Sequence, residues 1–493
     1  MKNYLGLIGF IPFIILFAGL TATKFKSYFT GAFTLAVTAA LAFFLWQTPA
    51  HIIGYGILEG FYIALMPILW VIFSAVFTYH ISVETGAMDV IKKRLGDITP
   101  DINVQAVLIT FCLGGFLESV AGFGTAVAIP TAMLMSLGFN PVKAAVLALV
   151  ANSVPVAFGA LGIPVIVLSK ITSLDLALLT KYVALQLAPF AFFVPLALLI
   201  IANDGIKGIK KSVPDILLIG FLFSAIQTVI GVFVGPELVA VAGSLFSLIV
   251  YTVYRRISTR THGGDYRTLF IAVINYIILL VLVLGTRLPD IAALKEWPFI
   301  IKFTIGGHPA SVDFFTNPGT LLFASAIIGG LIQGLSAKKL SFLTVFTARK
   351  IIPSALTILS IVALAKVMGY SGMIISVAAA LTAFAGSGYP LIAPLIGALG
   401  TFVTGSDTSS NILLGELQKN AAINTGYSPE WITAANTSGA TAGKMISPQS
   451  ISVAASTVGI KRESDIIRTT IFFCAGYAIL MGIYVFAVAL LLK

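Results

Sequence analysis

Two carboxylates stand inside otherwise apolar stretches of this chain, each beside a run of small and hydroxyl-bearing residues. The first stretch reads Glu118-Ser119-Val120-Ala121-Gly122-Phe123-Gly124-Thr125, and the second reads Gly405-Ser406-Asp407-Thr408-Ser409-Ser410-Asn411. A carboxylate within a membrane segment is costly and is a functional hypothesis by default. Placed there, Glu118 and Asp407 are candidates to take up and release a proton reversibly. The competing account puts each just outside the hydrocarbon, permanently ionised. The neighbouring Ser119, Thr125, Ser406, Thr408, Ser409, Ser410 and Asn411 supply donors for a small anion. Helix capping by Ser406 or Asp407 is the simpler role, and the two are compatible at the mouth of a half-helix.

Further along each stretch lies an amide next to hydroxyls: Asn152-Ser153, and Asn436-Thr437-Ser438 followed by Lys444. These are candidate substrate contacts, with helix-to-helix hydrogen bonding as the alternative. Asn436-Thr437-Ser438 also reads as a glycosylation sequon, a poor reading inside the membrane. Lys143, Lys366 and Lys444 are the cations able to meet a substrate carboxylate, whereas Lys170 and Lys181 have stems long enough to snorkel. Compensation of a buried acid is the competing role for all of them. Glu59 and Asp175 are placed near the interfaces and given no role.

The elements that must position these groups are membrane helices. Of 493 residues, 58% are hydrophobic and only 10% charged. An ordinary soluble domain carries roughly 25% charged residues. Apolar runs of about 17 to 25 residues recur throughout, each long enough to cross a bilayer. The expectation is an all-α, polytopic integral membrane protein with about 12 to 14 transmembrane helices. Long continuous runs exclude a β-barrel. Residues 1–493 form a single membrane transport domain, and the first segment is expected to be a retained span rather than a cleaved leader.

The net charge of +11 comes largely from short loops such as IKKRLGD, NDGIKGIKK, YRRISTRTHGGDYR and SAKKLSFLTVFTARK. The positive-inside rule explains this placement without invoking nucleic acid. Residues 82–97 read as either a surface amphipathic helix or a charged connector. Residues 286–317 read as an external, non-spanning loop.

At one constant shift, Gly138-Phe139-Asn140-Pro141 falls on Gly426-Tyr427-Ser428-Pro429, and Glu118-Ser119 on Ser406-Asp407. A four-residue deletion then aligns Asn152-Ser153 with Asn436-Thr437. This suggests two internal repeats, with cores at 102–168 (break near 118–125) and 388–454 (break near 405–411). Unpaired backbone cannot face lipid, so a Gly/Ser-rich break at membrane depth must face protein or a water-filled cavity. Secondary transporters place substrate between such discontinuous or re-entrant elements. Counting every intervening segment as a crossing makes the repeats parallel, while one half-crossing at 372–386 inverts them.

Other chemistries lack their residues. No GxxxxGK[ST] loop occurs, so neither ATP hydrolysis nor an ATPase subunit is expected. The four His are scattered, and Cys112 and Cys474 form neither a disulfide framework nor a metal pattern. No metal or cofactor is expected beyond the coupling proton, and no catalytic nucleophile or acid pair is recognisable.

The stretches GGFLESVAGFGTAVAIP, LGFNPVKAAVLALVANSVPVAFGALGIP, AFAGSGYPLIAPLIGALGTFVTGSDTSSN and ANTSGATAGKMISPQS resemble the bacterial lactate permease family over essentially the whole chain. FLESVAGFGT, GSDTSSN and ISPQS are the most specific of them. The resemblance implies uptake of L-lactate, often also D-lactate and glycolate, by proton symport across the cytoplasmic membrane of a bacterium, as a multi-pass protein. It leaves open the preferred substrate, the proton-carrying acid, and whether the protein is a monomer or a homodimer. A proton-independent monocarboxylate exchanger or channel, or a carrier for another small organic anion, is the alternative reading.

Overall fold

The computed structural model describes residues 2–21, 27–87, 89–90, 99–120, 125–259, 266–285, 300–306, 308–313, 315, 317–458 and 463–492. The described chain is helical apart from one antiparallel hairpin, Ile300–Ile305 with His308–Asp313. That hairpin falls within the segment read from sequence as an external loop. Its β-branched alternation and the left-handed Gly306 at the turn explain the departure from helix. Of the stretch 82–97 read as an amphipathic helix or connector, residues 88 and 91–97 lie outside the described residues, and 82–84 close the helix Trp70–Glu84.

Among the described residues, seven helices are long and apolar enough to cross a membrane. Bent pairing of Ala337–Pro353 with Ala355–Tyr370 adds an eighth, and shorter apolar helices fill out the bundle. Counted with the six shorter apolar helices they reach the 12 to 14 expected from hydropathy, some of those segments being short or broken. The stretch 430–454, for example, is two helices, Pro429–Lys444 and Pro448–Val458.

The helices around the site are labelled in chain order: α1 Ala50–Ile63, α2 Gly114–Val120, α3 Thr125–Ser136, α4 Pro141–Ala151, α5 Gly159–Thr172, α6 Leu176–Ala202, α7 Ala337–Tyr370, α8 Tyr389–Thr404, α9 Asp407–Thr425, α10 Pro429–Lys444 and α11 Glu463–Leu491. Burial separates centre from periphery. The span ending in α2 is 83% buried and that containing α5 is 89% buried, against 33% for α11. The segments around Glu118 therefore sit in a well-shielded part of the molecule, whereas the span leading to Asp407, Met373–Phe402, is 28% buried.

Two turns share one local construction. Gly138 (φ +93°) precedes Asn140, which caps α4 by accepting from Lys143 N at 2.8 Å, with Pro141 opening the helix. Gly426 (φ +71°) precedes Ser428, which caps α10 by accepting from Trp431 N at 3.2 Å, with Pro429 opening it. A left-handed glycine, an N-cap oxygen and proline at the first helical position each favour a sharp reversal.

The turns lie at opposite ends of α6, which spans about 40 Å. Lys143, two residues into α4, pairs with Asp204 just beyond the C-terminus of α6, at 2.5 Å. At the other end of α6, Thr172 O accepts from Lys419 Nζ of α9 at 2.7 Å. Asn411 also meets Pro164, so α5 and α9 run side by side in the same direction.

Helices α8 and α10 pack backbone against backbone. A Cβ on Gly439 would stand 2.0 Å from Pro394 O, and one on Gly443 would stand 2.0 Å from Ala398 O. Small residues permit this approach within a membrane, and it holds Lys444 against the end of α8.

Candidate functional site

The first half of the site is built by interruptions on either side of α4. Glu118 and Ser119 lie on α2, and the chain resumes at α3 with Thr125. Residues 121–124 and the Thr125 side chain lie outside the described residues. Asn152 closes α4, after which a 3-10 turn, Pro155–Phe158, leads to Ala160, Leu161 and Gly162, all left-handed. Left-handed backbone costs a non-glycine residue roughly 1–2 kcal/mol, so this break is held by its packing. Glu118 Oε1 would stand 3.0 Å from a Cβ on Gly159, so any side chain there would crowd the carboxylate.

Glu118 and Asn152 are buried, at 4% and 2% exposure. Glu118 Oε2 and both side-chain polar atoms of Asn152 have no hydrogen-bond partner among the described residues, although Asn152 lies within interaction range of Glu118. Ser119 and Ser153 differ from them. Their hydroxyls donate back to Gly115 O at 2.5 Å and Val150 O at 2.7 Å.

The second half is the junction of α8 and α9. Gly405 (φ +70°) ends α8, and Ser406 caps α9 by accepting from Ser409 N at 3.3 Å. Asp407 is buried in the first turn of α9, with neither carboxylate oxygen hydrogen-bonded. Lys444, at the end of α10, donates to Gly405 O at 2.6 Å. It lies within electrostatic reach of both Glu118 and Asp407, and the two acids are within reach of each other. Two acids from distant segments thus share one buried region with one lysine, which among the described residues is bonded to backbone and in no direct ion pair with either. Thr433, Thr437 and Ser438 of α10 and Thr401 of α8 also have hydroxyls without a partner among the described residues.

Several candidates are already engaged by protein. Asn411 donates to Pro164 O at 3.0 Å and accepts from Asn436 at 2.9 Å. Asn436 accepts from Gln418 at 3.1 Å, and Gln418 accepts from the Tyr389 hydroxyl at 2.8 Å. Ser410 donates to Gly397 O at 3.0 Å. This network ties α5, α8, α9 and α10 together. Thr408 and Ser409 are partly exposed beside it.

The repeat alignment matched Asn152 with Asn436, yet Asn152 ends a helix and Asn436 lies in the middle of one. Lys143 and Lys366 lie elsewhere. Lys143 serves Asp204, and Lys366 pairs with Glu59 at 3.0 Å. Glu59, expected near an interface, is therefore a half-buried ion-pair partner.

Sequence reasoning passed over Gln418, Tyr389 and the left-handed run at 160–162. Gln418 was open to discovery, since Asp407, Asn411 and Gln418 share one helical face by their spacing. Tyr477 was also passed over. It is buried on α11, bonded to Thr441 at 3.0 Å and within electrostatic range of Asp407. Among the described residues no group of three or more His, Cys, Asp or Glu could hold a metal ion.

A helical bundle whose interrupted central helices bring buried charges together is a multi-pass membrane carrier. A family model described as L-lactate permease matches residues 6–492, and the chain belongs to the L-lactate permease family. It is a transporter rather than an enzyme, and a multi-pass protein of the bacterial plasma membrane.

The L-lactate permease of Streptococcus iniae is 39% identical over 76% of this chain and 82% of its own. The L-lactate permease of Escherichia coli K12 is 34% identical over 97% and 94%. The glycolate permease GlcA of the same strain is likewise 34% identical over 97% and 94%. Among solved structures, Neisseria gonorrhoeae MtrF aligns at 14% identity and a TM-score of 0.48, covering 87% of this chain and 82% of that one. The Alcanivorax borkumensis YdaH transporter aligns at 14% identity and a TM-score of 0.45, covering 84% of each. At that distance neither assigns a residue or an activity.

Proposed function

We propose that this permease takes up L-lactate, and with it D-lactate and glycolate, by symport with a proton. The observation that carries this reading is the burial of Glu118, Asp407 and Lys444 within electrostatic reach of one another. An anion crossing with one proton moves no net charge, and such a carrier needs a fixed cation and a dissociable acid in the same shielded place. Lys444 supplies the first, and Glu118 or Asp407 the second.

Asn152, Thr437 and Ser438 retain unpartnered polar atoms for a 2-hydroxy carboxylate, and Ser406, Thr408 and Ser409 stand at the mouth of α9. Within this reading the stretches 102–168 and 388–454 are the two repeat cores. Turns at opposite ends of α6 favour an inverted rather than a parallel arrangement.

Purified protein in liposomes tests the function. With no gradient, labelled lactate should only equilibrate. An inward proton gradient should drive accumulation approaching about tenfold per pH unit, the free energy of one proton per substrate. Uptake indifferent to the gradient would establish the exchanger or channel reading in its place.

A further inference from the structure

We infer that Glu118 and Asp407 work as one acid pair against the fixed charge of Lys444, so that either acid alone suffices for proton coupling and only loss of both abolishes it. The inference rests on the proposed symport and deepens it by fixing how the cluster counts charge.

Three charged side chains meet here, and each is at most 9% exposed. Lys444 is held beside Asp407 by its bond to Gly405 O at 2.6 Å. Glu118 lies against Gly159 at the start of α5, which α9 meets one turn beyond Asp407 through the bond from Asn411 to Pro164 O at 3.0 Å. The three charges are within electrostatic reach of one another. Among the described residues no other charge acts on them, and Glu416 of α9 belongs with Lys419, Lys366 and Glu59 instead. Neither α8 nor Pro448–Val458 contains a charged residue. Lys143 of α4 is committed to Asp204 at the far end of that helix, and Lys419 of α9 reaches the far end of α5.

A buried cluster crosses a low-dielectric barrier cheaply only near neutrality. With both acids ionised, the three side chains sum to one negative charge. A single proton shared by the pair makes the empty site neutral: one carboxyl, one carboxylate and one ammonium. Adding the substrate carboxylate makes the sum negative again, and a second proton restores neutrality. The loaded site is then two carboxyls, the ammonium and the anion. Loading therefore binds one proton with one anion, and unloading returns both, leaving the shared proton in place.

The same sum fixes what each variant does. Glu118→Gln leaves an empty site of one carboxylate and one ammonium, already neutral, and a loaded site that still needs one proton. Asp407→Asn is equivalent. In the double variant the empty site carries one positive charge and the loaded site is neutral with no proton bound. That protein crosses when loaded and is trapped when empty, which makes it an obligatory exchanger.

The experiment compares lactate counterflow with proton-driven accumulation in liposomes for Glu118→Gln, Asp407→Asn and the double variant. Both single variants should accumulate lactate against its gradient under an inward proton gradient. The double variant should exchange labelled for unlabelled lactate without accumulating it. Loss of accumulation in either single variant, with or without counterflow, overturns the inference, as does proton-driven accumulation or absent counterflow in the double variant. Independently of any variant, purified wild type in weakly buffered detergent should take up one proton per lactate bound, and binding without proton uptake also overturns it. Failure of the symport reading itself looks different, because wild type in liposomes would then ignore the proton gradient.

Discussion

Glu59 and Glu118 are both acids set within apolar helices, and the protein treats them in opposite ways. Glu59 lies on an unbroken stretch of α1, pressed so closely against α7 that a Cβ on Gly60 would stand 2.4 Å from Ala363 Cα. Its carboxylate takes Lys366 at 3.0 Å and accepts from the Tyr370 hydroxyl. Glu59 is in direct contact with a cation and a donor there, and Glu416 of α9 with its neighbour Lys419 lies within electrostatic reach of the pair. Glu118 lies in the last turn of α2, has Lys444 and a second acid within electrostatic reach, and keeps Oε2 without a hydrogen bond among the described residues. An acid held in a direct ion pair is a structural joint. Two acids within reach of one buried cation leave capacity for a proton and an anion.

The largest effect expected from breaking this contrast is at Lys444. Lys444→Met removes the cation that both acids share, so lactate loses its counter-charge. Initial uptake should fall by at least about 100-fold, corresponding to the roughly 3–5 kcal/mol lost when one partner of a buried charge set is removed. Uptake within a few-fold of wild type, in protein that elutes as a single species, would mean that the cation is dispensable.

Lys366→Met should act on stability instead. Glu59 would be left half-buried without its cation, costing about 3 kcal/mol, towards the low end for a buried pair. The thermal midpoint in detergent should fall while KM for lactate stays near the wild-type value, and adding Glu59→Gln should recover most of the loss. A raised KM with an unchanged midpoint would move Lys366 into the transport machinery.

The smallest effect sharpens the line between ties and open groups inside the site itself. Asn411→Ala strands Asn436 Nδ2 and Pro164 O, each bonded to Asn411 in the native protein. A stability loss of about 2 kcal/mol follows from groups left unsatisfied, read as a lower thermal midpoint with binding affinity retained. Weakened lactate binding at unchanged stability would return Asn411 to the substrate.

Much of this was legible along the chain. The turns at Gly138–Pro141 and Gly426–Pro429 are local devices, complete within four residues, and they formed as their residue types demand. The end of α8 at Gly405 was visible because glycine and hydroxyl residues interrupt an apolar run, and Glu118, Asp407 and Lys444 stood out as charges in apolar surroundings. The left-handed run at Ala160 and Leu161 was not legible, since neither residue type prefers that conformation and only packing holds it. Lys366 and Lys444 were likewise indistinguishable as types, because the acids that claim them lie in distant segments.

Composition and periodicity by themselves determined that this chain is a polytopic helical membrane protein, where its helices are interrupted, and which side chains are too polar for their surroundings. Those are properties of one residue against its neighbours in sequence, set by the cost of exposing polar groups to lipid. Tertiary structure decided which polar groups satisfy one another and which remain open. It turned Asn411, Asn436 and Gln418 into a closed network, gave Lys366 to Glu59, and brought Glu118 and Asp407 to Lys444. Hydrogen bonds and charge pairs saturate within a few ångströms, so their assignment waits on the packing of helices that are far apart along the chain.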